Sequence, residues 1–395
     1  MCGPLKGIRV LDLTSVVLGP LATQTLGDMG ADVIKIEGPE GDTTRYTGPN
    51  RSEDMSALFM GLNRNKRSIV LDLKQKGAKE VLWRLIEDAD VFLHSIRPQA
   101  IERLGFAYET VREQNKKIIY AGVHGYGNDG PYSGRPAYDD VIQGLSGTAD
   151  LMNRLVGEPR YMPTIIADKT CGLVTVNAIL AALLEREKSG LGQFVEVPMF
   201  ETMVAFNMAD HMYGHAFDPP EGSMGYSRVL TPSRRPYKTS DGFICVLIYT
   251  DKQWERFWYE VGQPKLKDDP RFNSLGTRAE NIETLYSLAG DFVLKRTTED
   301  WLQRLPELEI PCSEVVQLEN LPDDPHLKEI GFFYLQSHPS EGSIRLTDIP
   351  VKFSRTPGEI KKLQPKLGQN SAEILREIGY DDIEIERLRT SGAPG

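Results

Sequence analysis

A strand, a helix and a second strand follow one another within about 30 residues near the start of the chain, and this pattern constrains the fold most. The apolar pattern predicts strands at residues 8–13 and 31–36, with a helix at 20–29 between them. A unit of this kind has parallel strands, and the handedness rule for its connection places the helix on one face of the sheet.

The same alternation of strand and helix continues downstream. Strands are predicted at residues 69–73, 91–93, 118–123 and 194–197, and helices at 77–87, 100–104, 108–115 and 200–215. The expected fold class is therefore α/β, with an open, Rossmann-like parallel sheet in a large domain. Ligands bind such sheets beyond the carboxyl ends of the strands.

A second domain is expected because 395 residues exceed what one ordinary hydrophobic core organises. Two short strands flank a turn at residues 240–242, and helices follow at 251–262, 280–294 and 298–305. We predict a smaller α+β domain at residues 225–325, between linkers at 201–224 and 326–329. Two further helices, at 372–378 and 382–388, are expected to return to the first domain.

Composition narrows the class of protein. The formal net charge of −10 argues against general nucleic-acid binding. No apolar run approaches the ~18 to 20 residues of a membrane helix, and the N-terminus lacks a signal-peptide core. The four cysteines, Cys2, Cys171, Cys245 and Cys312, have no metal-like spacing. We therefore expect a cytoplasmic protein with reduced thiols.

One acidic residue, Asp168, lies where an extended segment at 164–167 leads into a long apolar helix from Thr170. Backbone amides and the helix dipole favour the ionised form of a carboxyl at such a place. Two interpretations are open from the local sequence: a helix N-cap, or a nucleophilic carboxylate at the mouth of a pocket.

Other candidate sites are weaker. Residues 125–130 spell G-x-G-x-x-G, but Pro131 and Gly134 continue the loop where a dinucleotide site needs a helix. His211 and His215 have the spacing of a metal pair without a third ligand, so no metal site is predicted. Cys171 is either a thiol nucleophile or, as we expect, a packed thiol.

The basic stretch at residues 63–68, together with Arg97 and Arg103, allows two interpretations. It is either a solvated charged face or a site for phosphates, which arginine and lysine bind well.

A set of short stretches resembles one known family. They lie at residues 4–14, 19–20, 26–37, 63–74, 103–105, 125–127, 167–168, 235–242 and 310–312. Together they are similar to the class III CoA-transferases, the family of formyl-CoA transferase and carnitine CoA-transferase. The resemblance covers nearly the whole chain and favours the nucleophile interpretation of Asp168.

The resemblance implies a fold, an assembly and a reaction. The large CoA-binding domain would consist of residues 1–200 completed by 330–395, in a homodimer of two interlocked ring-like subunits. CoA would pass from an acyl-CoA donor to a carboxylic acid through an anhydride and then a CoA thioester on Asp168. Coenzyme A would be part of the substrate, with no permanently bound cofactor and no metal.

Contacts to CoA also carry over by resemblance, position by position. They fall on Val16, Val17, Leu71, Asp72, Leu73, Lys74, Ser95, Ile96, Arg97, Arg103, His124, Gly125 and Tyr126. Glycine-rich loops such as 125–130 would present amides to the oxyanion. The chain departs from formyl-CoA transferase at Gly38, where that enzyme has a basic residue, and at His124, where it has lysine.

Two alternative functions and one hypothesis about the substrates accompany this prediction. The α-methylacyl-CoA racemases are similar but place a histidine where this chain has Tyr138, and a CoA-binding protein without turnover is a third possibility. Arg234 and Arg235 are candidates to hold a second carboxylate, which would favour dicarboxylic substrates.

Overall fold

The structure is a computed structural model that describes residues 3–390, with only the backbone at Thr390. Met1, Cys2 and residues 391–395 lie outside the described part. Contacts group the described chain into two compact units. Unit 1 contains residues 3–146, 162–206 and 326–390, and unit 2 contains residues 147–161 and 207–325. The domain and linker limits given above remain a prediction beside these units.

Unit 1 is built on a six-stranded parallel sheet, as the strand and helix pattern predicted. Its strands are β1 (Arg9–Leu13), β2 (Asp32–Glu37), β3 (Lys66–Val70), β4 (Val91–His94), β5 (Ile119–His124) and β6 (Phe194–Pro198). Their order across the sheet is β3-β2-β1-β4-β5-β6, and every pair is parallel. The order reverses between β1 and β4, which makes that crevice the expected ligand site of such a sheet.

Seventeen α-helices lie in the described residues. They are α1 (Leu18–Asp28), α2 (Ala57–Leu62), α3 (Lys76–Glu87), α4 (Pro98–Leu104), α5 (Tyr108–Gln114), α6 (Asp139–Leu145), α7 (Thr148–Val156), α8 (Ile166–Ser189), α9 (Met199–His211), α10 (Ser227–Leu230), α11 (Asp251–Glu260), α12 (Leu275–Glu280), α13 (Ile282–Val293), α14 (Thr298–Glu307), α15 (Pro325–Glu329), α16 (Ser371–Glu377) and α17 (Asp382–Thr390).

Helices cover both faces of the unit 1 sheet, because successive side chains of a strand point to opposite sides. On β1, Leu11 belongs to a core with α3, α5, α16 and α17, whereas Val10 belongs to a core with α1 and α8. Helix α8 packs against α1. A Cβ at Gly172 would lie 2.9 Å from the backbone oxygen of Leu18, so glycine permits this close approach.

Several predicted boundaries were wrong at the ends of elements. Strand β3 begins at Lys66 and stops at Val70, so residues 71–73 form the loop beyond its carboxyl end. Helix α8 begins at Ile166 and includes residues expected to be extended, which places Asp168 inside the first turn. Helix α9 ends at His211, and a 3₁₀ turn follows.

Helix α8 is long and apolar enough to cross a membrane by length and composition alone. Half of its most apolar window is buried inside the protein, and its buried apolar side chains belong to the sheet core of unit 1. A buried core helix of an α/β unit has this composition for packing reasons.

The basic stretch at residues 63–68 is neither a solvated face nor a phosphate site, so both interpretations were wrong. Arg64, Lys66 and Arg67 are buried and pair with acidic side chains of unit 1. The nitrogen to oxygen distances are 2.8 Å from Arg64 to Asp28, 3.0 Å from Lys66 to Asp12 and 2.6 Å from Arg67 to Asp32. The pairing became visible only once β3 lay beside the elements that carry these aspartates.

The C-terminal segment adds a hairpin that the sequence did not predict. Strands β10 (Phe333–His338) and β11 (Gly342–Thr347) pair in antiparallel register. Farther on, Glu373 and Glu377 of α16 accept hydrogen bonds from the Arg67 guanidinium. These bonds attach the end of the chain to β3.

Unit 2 is α+β, as predicted for the smaller domain. Its antiparallel sheet has the order β7-β8-β9, formed by β7 (Tyr237–Lys238), β8 (Phe243–Val246) and β9 (Cys312–Glu314). The predicted hairpin around residues 240–242 is confirmed. Helices α11, α13 and α14 supply Trp258, Leu285 and Trp301 to a separate core.

Candidate functional site

A cavity of about 290 Å³ opens at the carboxyl ends of β1 and β4, where the strand order reverses. Asp168 lies in its wall together with four of the residues predicted to contact CoA, namely Val16, Val17, Ser95 and Arg97. Each residue reaches the cavity from the segment that follows a strand or opens a helix. Asp168 is 8% exposed, so it is largely buried but accessible from this cavity.

A second cavity of about 370 Å³ contains five more of the predicted contacts: Leu71, Asp72, Leu73, Lys74 and Ile96. Ser15 belongs to the walls of both cavities. The structure therefore brings nine predicted residues to one edge of the sheet. Arg103 is exposed on α4 and lines neither cavity.

The remaining predicted contacts, His124, Gly125 and Tyr126, lie at the end of β5 and just after it, and they do not line these two cavities. The Tyr126 side chain is buried in the sheet core, where its ring meets those of Tyr132 and Phe200. His124 and Gly125 are partly buried. Any contact of residues 124–126 with a ligand would therefore use the backbone or the His124 ring.

The carboxyl of Asp168 has an unusual environment. It occupies the third position of α8, but the amides of Ala167 and Asp168 donate to Oδ1 of Asp139, at 2.8 and 3.1 Å. Oδ2 of Asp139 accepts from the Gln143 side chain at 2.6 Å. Asp139, and not Asp168, is therefore the side chain that caps α8, a role the sequence did not reveal.

Burial, and then the charge of Asp139, raise the pKa of Asp168 to about 7. The expectation that the helix amides favour the ionised form of Asp168 was wrong, because these amides are bonded to Asp139. A carboxyl with a pKa near 7 carries both protonation states in comparable amounts at neutral pH. Perturbed carboxyls of this kind in a cleft are typical of functional sites.

The loop after β1 is held by buried charges. Val16 has a φ of +70°, a left-handed conformation that is rare for a β-branched residue. Its amide donates to Oδ1 of Asp42 at 3.1 Å, and Oδ2 of Asp42 pairs with Lys35 at 3.0 Å. Lys35 also donates to the backbone oxygen of Thr14. These bonds fix the loop that forms one wall of the cavity.

Two histidines hold the loop that follows β4. Nδ1 of His94 and Nε2 of His124 lie 3.1 and 3.2 Å from the backbone oxygen of Ile96. Burial lowers the pKa of His94 to about 3 and also lowers that of His124. Both rings are therefore neutral at pH 7, and each donates its single N–H to Ile96.

Comparison with known proteins identifies the family. The model of the family described as CoA-transferase family III matches residues 5–371 of this chain. The chain belongs to CoA-transferase family III. It is 30% identical over 416 residues to the formyl-CoA:oxalate CoA-transferase of Escherichia coli O6:H1, covering all of both chains. It is 31% identical over 394 residues to the succinyl-CoA:glutarate CoA-transferase of Mus musculus, covering 98% of this chain and 90% of the relative.

Solved structures agree with this assignment to CoA-transferase family III. A CAIB/BAIF family protein from Brucella suis is 30% identical, with a TM-score of 0.79 over 96% of this chain and 100% of the other. Rv3272 from M. tuberculosis is 30% identical, with a TM-score of 0.82 over 95% and 99%. The resemblance inferred from short stretches is thereby confirmed, and this class III CoA-transferase is an enzyme.

The glycine-rich loop of this CoA-transferase does not offer all its amides to a ligand. It continues as loop to residue 138, as expected, without opening a helix. The amide of Gly127 donates to Glu201 at 3.0 Å, and that of Asn128 donates to Glu196 at 2.9 Å. These two amides are therefore not the oxyanion donors that the sequence suggested.

Helix α1 begins at the Asp168 cavity. Its first residues, Leu18 and Gly19, line the Asp168 cavity, and no side chain caps this helix terminus. The first amides of a helix lack partners within the helix and carry partial positive charge.

The remaining candidates have structural roles in the CoA-transferase. Cys171 is fully buried, and burial followed by the charges of Asp168 and Asp139 raises its pKa to about 12, so the packed-thiol prediction is confirmed. His211 accepts from the amide of Tyr226, whereas His215 is exposed. Within residues 3–390, no group of three or more His, Cys, Asp or Glu side chains has a metal-binding arrangement.

Proposed function

We propose that this class III CoA-transferase moves CoA from an acyl-CoA donor to a carboxylic acid through covalent intermediates on Asp168. The observation that carries the proposal is the position of this carboxyl in the cavity wall at the strand-order reversal, beside four predicted CoA contacts. A carboxylate nucleophile divides one difficult transfer into easier covalent steps.

The reaction begins at the thioester of the donor. An oxygen of ionised Asp168 attacks the thioester carbon, the carbon–sulfur bond breaks, and CoA leaves as a thiolate with a mixed anhydride on Asp168. The thiolate then attacks the Asp168 acyl carbon, releasing the donor as a carboxylate and leaving an Asp168–CoA thioester. Both steps exchange one acyl linkage for another, so no ATP is consumed.

The acceptor reverses this sequence. Its carboxylate attacks the Asp168–CoA thioester, which gives a new anhydride and a CoA thiolate. The thiolate attacks the acceptor carbonyl, so acceptor-CoA forms and the Asp168 carboxylate is regenerated. Each addition places negative charge on an oxygen, and the amides of Leu18 and Gly19 at the start of α1 are suited to stabilise it.

Asp139 is a positioning residue in this scheme. It caps α8, which fixes the backbone of Asp168, and its charge helps to raise the Asp168 pKa to about 7. A nucleophile with a pKa near the working pH combines a sufficient ionised fraction with high basicity.

We further propose that the substrates include dicarboxylic acids. The two curated relatives are named for oxalate and for succinyl and glutarate groups, all of which carry or derive from two carboxyls. A preference for glutarate or succinate over monocarboxylic acids of equal length, measured with one acyl-CoA donor, tests this proposal.

A homodimer and a cytoplasmic location complete the proposal. Leu173 and Leu184 of α8 are 54% and 62% exposed, and large apolar side chains outside the core are typical of surfaces that meet a partner. Sedimentation equilibrium of the homodimer should give a mass near twice 44.3 kDa.

The proposed cytoplasmic location agrees with the state of the cysteines. The three described cysteines are free thiols, as in a reducing compartment.

The decisive experiment follows the label of an acyl-CoA. Wild-type protein is incubated with acyl-CoA labelled in its CoA part, with a panel of carboxylic acids and with hydroxylamine. We expect label transfer, and trapping of an activated carboxyl at Asp168 that peptide mass spectrometry locates.

Asp168→Asn should lose at least about 10³-fold in kcat, and hydroxylamine should not modify it at this position. The control Asp140→Asn, at an exposed position on α6, should keep the wild-type kcat and should still be modified at Asp168. Transfer by the Asp168→Asn protein would refute the covalent scheme. Loss of configuration at the acyl α-carbon without transfer would indicate a racemase instead.

A further inference from the structure

A cavity of about 470 Å³ lies within unit 1 between helix α2 and strand β11, and we call it the hairpin cavity. Its wall includes residues of α2, of β11 and of the segment 49–55, together with Gln364. It shares no lining residue with the two cavities at the carboxyl ends of the strands. Its volume lies within the range of small-molecule sites in proteins. The hairpin cavity is therefore a separate candidate for a binding site.

Gln364 gives the wall of the hairpin cavity a polar atom that lacks a partner. The residue is 2% exposed, and its Oε1 forms no hydrogen bond with any described residue. Its Nε2 donates to the backbone oxygen of Met60, which fixes the orientation of the side-chain amide. A buried acceptor without a partner is unfavourable, and a hydrogen-bond donor on a ligand would remove this cost. Met60 also lines the cavity, and its unbranched side chain can adapt so that a ligand reaches Oε1.

Two arginines in the wall have guanidiniums without acidic partners. Arg345 of β11 is exposed, and no residue in the range 3–390 forms an ion pair with it. Arg51 also forms no ion pair within this range, and its Nη1 donates to the backbone oxygens of Glu341 and Ser343. A guanidinium without an acidic partner retains its capacity to bind a carboxylate.

The other charged side chains of the wall already have partners. Arg64 pairs with Asp28 at 2.8 Å. Both carboxylate oxygens of Glu341 accept hydrogen bonds, from Ser52 at 2.6 and 3.0 Å and from Ser340 at 2.7 Å. Its single negative charge faces the two positive charges of the unpaired arginines. The net charge of the wall is therefore positive, which favours an anion.

Apolar side chains form much of the rest of the wall. Met55 and Leu346 are 2% and 8% exposed, and Ile344 is partly buried. Such a wall favours an aliphatic or aromatic body, which an inorganic anion does not have. A ligand that matches the whole wall therefore combines an apolar body, a carboxylate and a hydrogen-bond donor.

We propose that the hairpin cavity binds an amphipathic carboxylic acid that carries a hydroxyl or N–H group at the end remote from its carboxylate. Gln364 accepts the hydrogen bond of that group, Met55 and Leu346 contact the apolar body, and Arg51 and Arg345 bind the carboxylate. This site lies apart from the predicted CoA contacts, so binding does not require acyl-CoA. The inference goes beyond the proposed CoA transfer and does not depend on it.

Three small probes test these contacts one at a time. The full probe is para-hydroxyphenylpropanoate, whereas phenylpropanoate lacks the hydroxyl and para-hydroxyphenylpropanol lacks the carboxylate. In calorimetric titrations of the full-length protein, each incomplete probe should bind about fivefold or more weakly than the full probe. Equal affinities for the three probes, or no binding of the full probe up to about 10 mM, would overturn the proposal.

Two variants locate the probes in the hairpin cavity. Arg345→Gln should weaken binding of the two carboxylates about tenfold and change that of the alcohol less than about twofold. Gly61→Phe fills part of the cavity from α2, where a Cβ at Gly61 would meet no atom of another segment within 4 Å. It should weaken binding of all three probes at least about tenfold, because the ring occupies their space.

Matched controls replace the same residue types outside the hairpin cavity. Arg355→Gln changes an exposed arginine of unit 1, and Gly276→Phe changes an exposed helical glycine whose added Cβ would also meet open space. Both should bind the probes within about twofold of wild type. Circular dichroism checks the folding of every variant.

The probes must also be distinguished from acceptors bound beside Asp168. Gly61→Phe should transfer CoA with a kcat within about twofold of wild type, because Gly61 lies outside the catalytic cavity. Probe affinities that Gly61→Phe leaves unchanged would place the probes in another site and overturn the proposal.

A second copy of this chain is the other occupant to distinguish. Sedimentation equilibrium of wild type and Gly61→Phe should give the same mass if the hairpin cavity holds a small acid. An assembly that Gly61→Phe dissociates, together with no probe binding by wild type, would assign the cavity to a subunit interface and overturn the proposal.

Discussion

Two buried aspartates of unit 1, Asp12 and Asp168, have opposite surroundings. Asp12 on β1 has no solvent exposure, pairs with Lys66 at 3.0 Å and accepts a hydrogen bond from Thr23 at 2.6 Å. Asp168 is 8% exposed, has Asp139 beside it, and forms no ion pair with any residue in the range 3–390.

The two carboxyls titrate in opposite directions for this reason. Burial alone would raise the pKa of Asp12, but the charges of Lys66 and Lys35 hold it well below its ordinary value. Burial and Asp139 raise that of Asp168 to about 7. A buried charge with partners supports the fold, whereas one without partners costs stability and is retained for chemistry.

The largest effect is expected for Asp12, the aspartate that has charged partners. Asp12→Asn leaves Lys66 and Lys35 buried with less compensating charge, and we expect a loss of about 3–5 kcal/mol in the free energy of unfolding. Urea denaturation followed by circular dichroism measures it. A loss below about 1 kcal/mol would show that the network around β1 does not depend on this carboxylate.

Asp168→Asn should have the opposite effect on stability. Its folded pKa lies above its unfolded value, so its stabilising contribution is complete below the unfolded pKa near 3.8 and is lost as pH rises toward about 7. The neutral amide should therefore raise the free energy of unfolding by about 2–4 kcal/mol at pH 8 and by much less at pH 4. A destabilised variant at pH 8 would contradict the unpartnered character of Asp168.

A smaller effect concerns the pH dependence of activity. The ionised form of Asp168 is the nucleophile, so kcat/KM should fall about tenfold per pH unit below pH 7. Asp139→Asn removes the second cause of the raised pKa and should move this limb to lower pH. Asp140→Asn, on the exposed side of α6, should leave the profile in place. An unchanged pH profile in Asp139→Asn would show that Asp139 does not raise the pKa of Asp168.

The smallest effect concerns the neutral histidines that hold the loop after β4. His94→Phe removes one donor to the backbone oxygen of Ile96, and we expect KM for acyl-CoA to rise about 3- to 10-fold. Because the loop only positions the ligand, kcat should change less than about twofold. His215→Phe, at an exposed position, serves as the control. A fall in kcat with unchanged KM would assign His94 to the chemistry instead.

The sheet was predictable because its strands and helices follow from local apolar patterns in the sequence. Five of the six strands of unit 1 lie within one residue of their predicted places, and β3 and the start of α8 lie within four residues of theirs, since buried parallel strands are continuous apolar runs. The hairpin of β10 and β11 was not predicted, because its mostly exposed strands lack a comparable apolar signal.

The site was predictable only in part, because its electrostatics depend on residues distant in sequence. The resemblance indicated Asp168 and the loops after β1, β3 and β4. The cap from Asp139 lies 29 residues away in the chain. The acidic partners of residues 63–68 come from elements that meet only in the folded sheet. The acidic residues Asp139 and Asp140 opening α6 were the one local signal that could have suggested a cap.

The backbone of Val16 has a consequence for how the enzyme meets its substrate. A β-branched residue at a φ of +70° is unfavourable by about 1–2 kcal/mol, and the bond to Asp42 maintains it without any ligand. The conformational entropy of the loop after β1 is therefore lost when the chain folds, and not each time that a substrate binds. Replacing Val16 by glycine would relax the loop, and every incoming acyl-CoA would then have to order it again.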